Sequence, residues 1–195
     1  MFASLAEDLV NREALSTLDP AFGSWLITHT SLPGEYIFST ITFLENGMII
    51  SIGTGVLGFW LAKRKNWNKL IFLLSAVSGG TVLNLVLKNV FQRSRPIFSQ
   101  AFQVETGYSF PSGHAMISLV FYGAVVYIVF SFLKSRRSKL LAVIGALVVL
   151  SLIGFSRLYL GVHYLTDVLA GWAAGGLLLM VCVLGDYFVS MFRIV

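Results

Sequence analysis

Five apolar runs, at about 37–62, 69–91, 115–133, 139–156 and 165–189, constrain this chain more than anything else in it. Each approaches the ~20 apolar residues that carry a helix across a bilayer. The fold class that follows is all-α, a polytopic transmembrane helix bundle with five visible spans. Composition agrees, since 56% of the 195 residues are hydrophobic and 12% charged, where a soluble domain carries roughly 25% charged residues. The expected organisation is an extracytoplasmic or interfacial segment over 1–36 and a transmembrane domain over 37–195.

The formal charge of +5 does not mark a nucleic-acid binder. Basic residues cluster in two short loops, Lys63-Arg64-Lys65 with Lys69, and Lys134 with Arg136, Arg137 and Lys139. Excess Lys and Arg mark cytoplasmic loops, and both clusters fall after odd-numbered spans. The amino-terminal segment is then outside, and the carboxyl terminus with Arg193 inside. Residues 1–36 hold Glu7, Asp8, Glu13, Asp19 and Glu35 against Arg12. They lack the basic start and apolar core of a signal peptide. Runs such as Leu15–Leu18 and Phe22–Ile27 predict short interfacial helices, and His29 among its threonines carries no catalytic expectation. Gly47, Ser51 and Gly55, like Gly171 and Gly175, recur at the four-residue spacing that lets membrane helices approach closely. The single cysteine, Cys182, permits no intrachain disulfide and no thiolate cluster.

This topology brings four helix ends to one extracytoplasmic face, and three sequence blocks arrive with them. Lys88 and, seven residues on, Arg95-Pro96 offer a point charge and a planar fork suited to phosphate oxygens; snorkelling cations would look the same. Pro111-Ser112-Gly113-His114 opens a helix whose first N–H groups form an anion site. Its histidine is placed to pass a proton to a leaving oxygen, and a capped helix with an interfacial histidine is the plainer alternative. Ser156-Arg157 precede His163 and Asp167, a pair four residues apart on one helix face. A carboxylate accepting one imidazole N–H frees the other nitrogen to attack; a surface His–Asp pair is the bland counterpart.

Together the blocks K-x6-RP, PSGH and SR-x5-H-x3-D resemble the type 2 phosphatidic acid phosphatase superfamily of integral-membrane lipid phosphate phosphatases. Lys88, Arg95-Pro96, Pro111 to His114, Ser156-Arg157, His163 and Asp167 match without substitution, and Glu105 to Phe110 looks like the small bacterial members. The resemblance spans roughly 15–190. Members of this type typically have six spans, and residues 1–36 resemble the outside loop after the first, so the first span is expected to be absent here.

The resemblance implies a phosphohistidine route, with His163 the nucleophile, Asp167 its orienting carboxylate and His114 the general acid. Lys88, Arg95, Ser112, Gly113 and Arg157 would hold the phosphoryl oxygens. No cofactor is expected. Of nine acidic residues only Asp167 and Glu105 are expected near the site, too few for a two-metal carboxylate clamp. The implied substrates are lipid phosphates: phosphatidate, phosphatidylglycerophosphate or undecaprenyl pyrophosphate. The expected location is the cell membrane, with the bilayer as surroundings and no obligate protein partner. Two further classes compete with this one. Vanadium haloperoxidases share the site by family relationship but are soluble. A non-enzymatic lipid-phosphate binding or transport protein would need the cations, yet neither a nucleophile nor an acid. Glu45, inside the first run, is a functional candidate by its depth or a packing and interfacial hydrogen-bonding residue.

Overall fold

The computed structural model describes residues 1–11, 14–97 and 105–192. Arg12, Glu13 and Arg193, among the charges read above, lie outside them. The described residues form helices and no strands: α1 (Phe2–Asn11), α2 (Ala14–Thr28), α3 (Leu32–Thr42), a 3-10 turn (Phe43–Glu45), α4 (Gly47–Lys63), α5 (Trp67–Phe91), α6 (Gly113–Phe130), α7 (Arg136–Tyr159) and α8 (Leu165–Phe192).

Helices α5 to α8 are each long and apolar enough to cross a membrane. The first three of them begin where the sequence supplies side-chain acceptors for orphaned N–H groups. Asn66 accepts from Lys69 at 3.4 Å, Ser112 from Ala115 at 3.4 Å and Ser135 from Ser138 at 3.0 Å. The run read as one span over 37–62 is two helices. Ser31 caps α3, accepting from the Gly34 N–H, and Asn46 caps α4, accepting from the Met48 N–H at 2.9 Å. Between them Asn46 adopts φ −52°, ψ 133°, which ends the helix, and the two halves meet at a 40° bend. Averaged over the length of a span the run stays apolar across Glu45-Asn46-Gly47, so hydropathy does not register the break.

Helix α6 is the centre of the bundle, packed on α5, α7 and α8. Toward the basic loops its Ala124 and Ile128 close a core with Leu61, Phe72 and Leu73. At that end Asp186 of α8 accepts from Lys69 at 2.7 Å and from the Tyr127 hydroxyl at 2.8 Å. Residues such as Val56, Phe59, Leu141, Leu177 and Val181 remain exposed on the outside of the bundle, as expected of helices whose surroundings are lipid. Two glycines of α8 set the α6–α8 distance. A Cβ at Gly171 would sit 2.7 Å from the Ser112 carbonyl oxygen, and one at Gly175 2.7 Å from that of Met116. The second small-residue stripe behaves differently. Gly47 and Gly55 have open space where a Cβ would go, and it is Gly53 that faces a neighbour, the Phe121 ring. Four-residue spacing identifies a face, but the face of Gly47 and Gly55 is turned away from the bundle.

Helices α1 and α2 lie over the opposite end, against α8. Leu5 packs with Phe110 and Ala170, and Leu26 with Ala115, Leu158 and Val168. Tyr159 ties the next connection down, its hydroxyl accepting from the Ser31 N–H at 2.9 Å. His29 stays local, its Nδ1 2.7 Å from the Trp25 carbonyl oxygen.

Candidate active site

The end of α5, the start of α6, the end of α7 and the start of α8 meet beneath α1 and α2, and every residue singled out in the three blocks lies there. The helices arrive by specific turns. Gln92 in the left-handed conformation (φ 46°) stops α5 just after Lys88, and Gly161 (φ 74°) reverses the chain between α7 and α8. Glycine suits that reversal because no Cβ obstructs a positive φ. The turn places His163 directly before α8.

His163 and Asp167 are both buried, at 3% and 0% exposure. His163 Nδ1 lies 3.3 Å from Asp167 Oδ2, which also accepts from the Tyr164 N–H at 3.0 Å. On the other side of the ring, Arg95 Nη1 lies 3.2 Å from His163 Nε2. Guanidinium can only donate. Nε2 must therefore offer its lone pair and Nδ1 must carry the proton toward Asp167, so the two partners fix one tautomer between them. Burial disfavours the charged imidazolium and outweighs the opposing pull of Asp167, so the His163 pKa lies below its ordinary value. The result is a neutral imidazole with a directed lone pair.

Three cations gather in front of it. Arg95 also donates to the Val162 carbonyl at 2.9 Å and the Gly107 carbonyl at 3.2 Å. Arg157, 1% exposed, donates from Nη1 to Thr42 at 2.7 Å. Its Nε is buried with no acceptor among the described residues. Lys88 donates to the Tyr108 carbonyl at 2.8 Å. A carboxylate spans two of them: Glu105 takes Arg95 on Oε2 at 3.0 Å and Arg157 on Oε1. Burial opposes its charge, but the two guanidiniums prevail and hold it below the usual carboxylate range. Two oxygens of one anion thus already rest on the two arginines expected to hold phosphate.

Ser112 and Gly113 belong to the frame around the pocket. The Ser112 hydroxyl is fully buried as the cap of α6, and its N–H donates to the Asp167 carbonyl at 2.9 Å. Gly113 is the first residue of α6, where a Cβ would come within 3.1 Å of Asn84 Oδ1. His114 follows, its Nε2 3.2 Å from Glu45 Oε2.

Four participants were not foreseen. Arg93 donates to Asp167 Oδ1 at 2.6 Å, to Thr166 at 2.7 Å and to Asp19 Oδ2 at 2.9 Å, and its guanidinium lies 4.2 Å from the centre of the Tyr164 ring. Asp19 in turn accepts from the Thr166 N–H at 3.1 Å and from the Thr166 hydroxyl. Carboxylates outweigh burial and raise the Arg93 pKa further. Thr42, buried at the end of α3, receives Arg157. Of these, Arg93 had a visible signal, a third cation within Lys88 to Arg95. The others are met only through tertiary contact.

The PAP2 superfamily model matches residues 68–189, a segment that holds all three blocks and leaves Asp19, Thr42 and Glu45 outside. Over 148 residues the chain is 36% identical to phosphatidylglycerophosphatase B of Bacillus subtilis (strain 168), covering 75% of this chain and 70% of that protein. Over 99 residues it is 38% identical to an undecaprenyl-diphosphatase of Sulfolobus acidocaldarius, covering 48% of this chain and 44% of the relative. The crystal structure of a transmembrane PAP2-type phosphatidylglycerolphosphate phosphatase from Bacillus subtilis superposes with a TM-score of 0.87 at 31% identity, covering 96% of this chain and 93% of that one.

Proposed function

The chain belongs to the PAP2 superfamily, and from that premise we propose that this multi-pass membrane lipid phosphatase works through a phosphohistidine on His163. The observation that carries the reading is the pair of contacts on one imidazole, Asp167 on Nδ1 and Arg95 on Nε2. They leave the reactive lone pair beside a cation cluster that already accommodates a two-oxygen anion, the Glu105 carboxylate.

In this reading a lipid phosphate displaces Glu105 from Arg95 and Arg157 and takes over the Arg95 Nη1 hydrogen bond, which frees the His163 Nε2 lone pair to attack. Nε2 of His163 attacks phosphorus as the P–O bond to the lipid breaks, and His114 gives that oxygen its proton, a step worth about 10²–10⁴-fold for a well-placed acid. Asp167 stabilises the positive character that develops on the ring. Lys88, Arg95, Arg157 with its free Nε, and the Ser112 hydroxyl and Gly113 N–H at the start of α6 stabilise the equatorial oxygens. Water then attacks phosphorus, His114 takes its proton, and inorganic phosphate leaves His163.

The substrate class is a lipid phosphomonoester or pyrophosphate. Two of the relatives carry names for such activities, on phosphatidylglycerophosphate and on undecaprenyl diphosphate. The basic loops occupy the far end of the bundle, which supports a site on the extracytoplasmic face with the carboxyl terminus inside.

The test is phosphate release in detergent with EDTA from phosphatidate, phosphatidylglycerophosphate and undecaprenyl pyrophosphate, with His163→Ala beside the wild type. Label from ³²P substrate should be trapped on the protein in an acid-labile, alkali-stable form. Turnover at wild-type rate in folded His163→Ala, or complete loss of activity with EDTA, would sink this mechanism.

A further inference from the structure

The break in the first span does more than bend a helix. Within one helical turn it delivers Thr42 to Arg157 and Glu45 to His114. Glu45 is 5% exposed. An acid at that depth is costly in a bilayer, and nothing in helix packing calls for one, so its partner should explain it. The only ion-pair or hydrogen-bond partner found for its carboxylate among the described residues is His114 Nε2, at 3.2 Å.

The difficulty that such a partner solves is electrostatic. Charged or titratable groups of four other elements act electrostatically on His114: Arg157 from α7, Lys88 from α5, His163 from the turn before α8, and Glu105 from the loop before α6. When substrate replaces Glu105 on the arginines, a histidine acting alone must hold a dissociable proton beside Lys88, Arg95 and Arg157, and like charges disfavour its cationic form. A carboxylate against Nε2 removes that penalty. The proton then belongs to the pair rather than to either residue.

We infer that the acid of the reaction is a Glu45–His114 pair, with Glu45 the positioning residue that holds the second proton behind the ring. This rests on the proposed role of His114. As the P–O bond breaks, the Nδ1 proton goes to the lipid oxygen while Nε2 draws the shared proton from Glu45, leaving neutral imidazole and carboxylate. When water attacks the phosphohistidine, its proton goes to Nδ1 and the Nε2 proton returns to Glu45, so the pair ends as it began.

The experiment compares wild type, Glu45→Gln, His114→Asn and the double variant on two substrates. One is a short-chain alkyl phosphomonoester, whose alkoxide must be protonated as it leaves. The other is p-nitrophenyl phosphate, whose phenolate leaves unaided. The ratio of kcat/KM between the two is internal to each preparation and independent of the fraction folded. His114→Asn and Glu45→Gln should each raise the aryl-to-alkyl ratio at least about tenfold, and the double variant should be no more selective than His114→Asn alone. A selective His114→Asn beside a Glu45→Gln that loses both substrates equally, or neither, would overturn the pair and leave the role of His114 standing. An unselective His114→Asn would remove the premise as well. Should Glu45→Gln not fold, Glu45→Asp keeps the charge but withdraws it by one methylene, and the same selectivity must appear in smaller measure; an Asp variant with the wild-type ratio would equally overturn the pair.

Discussion

Replacing Arg93 by methionine should cost more stability than any exposed cation in the chain. Its guanidinium lies between two buried carboxylates, 2.6 Å from Asp167 and 2.9 Å from Asp19, which are 0% and 2% exposed. Removing one member of a buried pair costs about 3–5 kcal/mol, because the surviving charge is left uncompensated. Both carboxylates keep other donors, Tyr164 N–H for Asp167 and Thr166 for Asp19, so the loss should fall within that range rather than double it. For a chain of this size the midpoint of thermal unfolding should drop by roughly 6–20 °C, read in detergent by tryptophan fluorescence. Arg93→Met/Asp19→Asn should recover part of the loss, since one of the two stranded charges is gone. Arg93→Lys should recover less, because an ammonium cannot fork between two acceptors. A midpoint for Arg93→Met within about 2 °C of wild type would refute the reasoning.

The His163–Asp167 pair and the α6–α8 packing give four further outcomes. Because burial lowers the His163 pKa against the opposing effect of Asp167, the proposed nucleophile should stay neutral below its ordinary value of 6.5, and kcat/KM should hold into mild acid. Asp167→Asn removes the group that raises this pKa, so the acid limb should move to lower pH while the rate falls; comparison at one substrate cancels the titration of the phosphate, and an acid limb moving upward would contradict the assigned cause. Gly175→Ala should destabilise the bundle by about 1–3 kcal/mol, since the added methyl meets the Met116 carbonyl oxygen at 2.7 Å. Gly171→Ala meets the Ser112 carbonyl at the same distance and should additionally cost activity by moving the start of α6; equal kcat for the two variants would argue that the α6 start tolerates displacement.

The residues expected to do chemistry were legible because each sits at the end of an apolar run, and the alternation of those runs sends all four ends to one face. Spacing did the rest: four positions separate His163 from Asp167, and although His163 lies in the turn before α8 rather than on the helix, the structure places the two side chains 3.3 Å apart. What spacing cannot express is a partner on another helix. Arg93 and Asp19 are 74 positions apart, and nothing local to either residue points to the other. The same limit explains the first span. Glu45 and Asn46-Gly47 were visible as an acid and a turn-prone pair inside an apolar run, and either could have signalled a break. Hydropathy averages across such a point, whereas a backbone N–H requires an acceptor of its own, and Asn46 provides one to a new helix. The consequence reaches the site. A continuous helix would present one face along its whole length, while a bent one turns the end of its first half toward the pocket. Thr42 and Glu45 are on that turned end, and the two side chains they meet, Arg157 and His114, are a proposed phosphate clamp and the proposed acid. The break in the first span therefore brings a carboxylate, Glu45, to a site otherwise rich in cations.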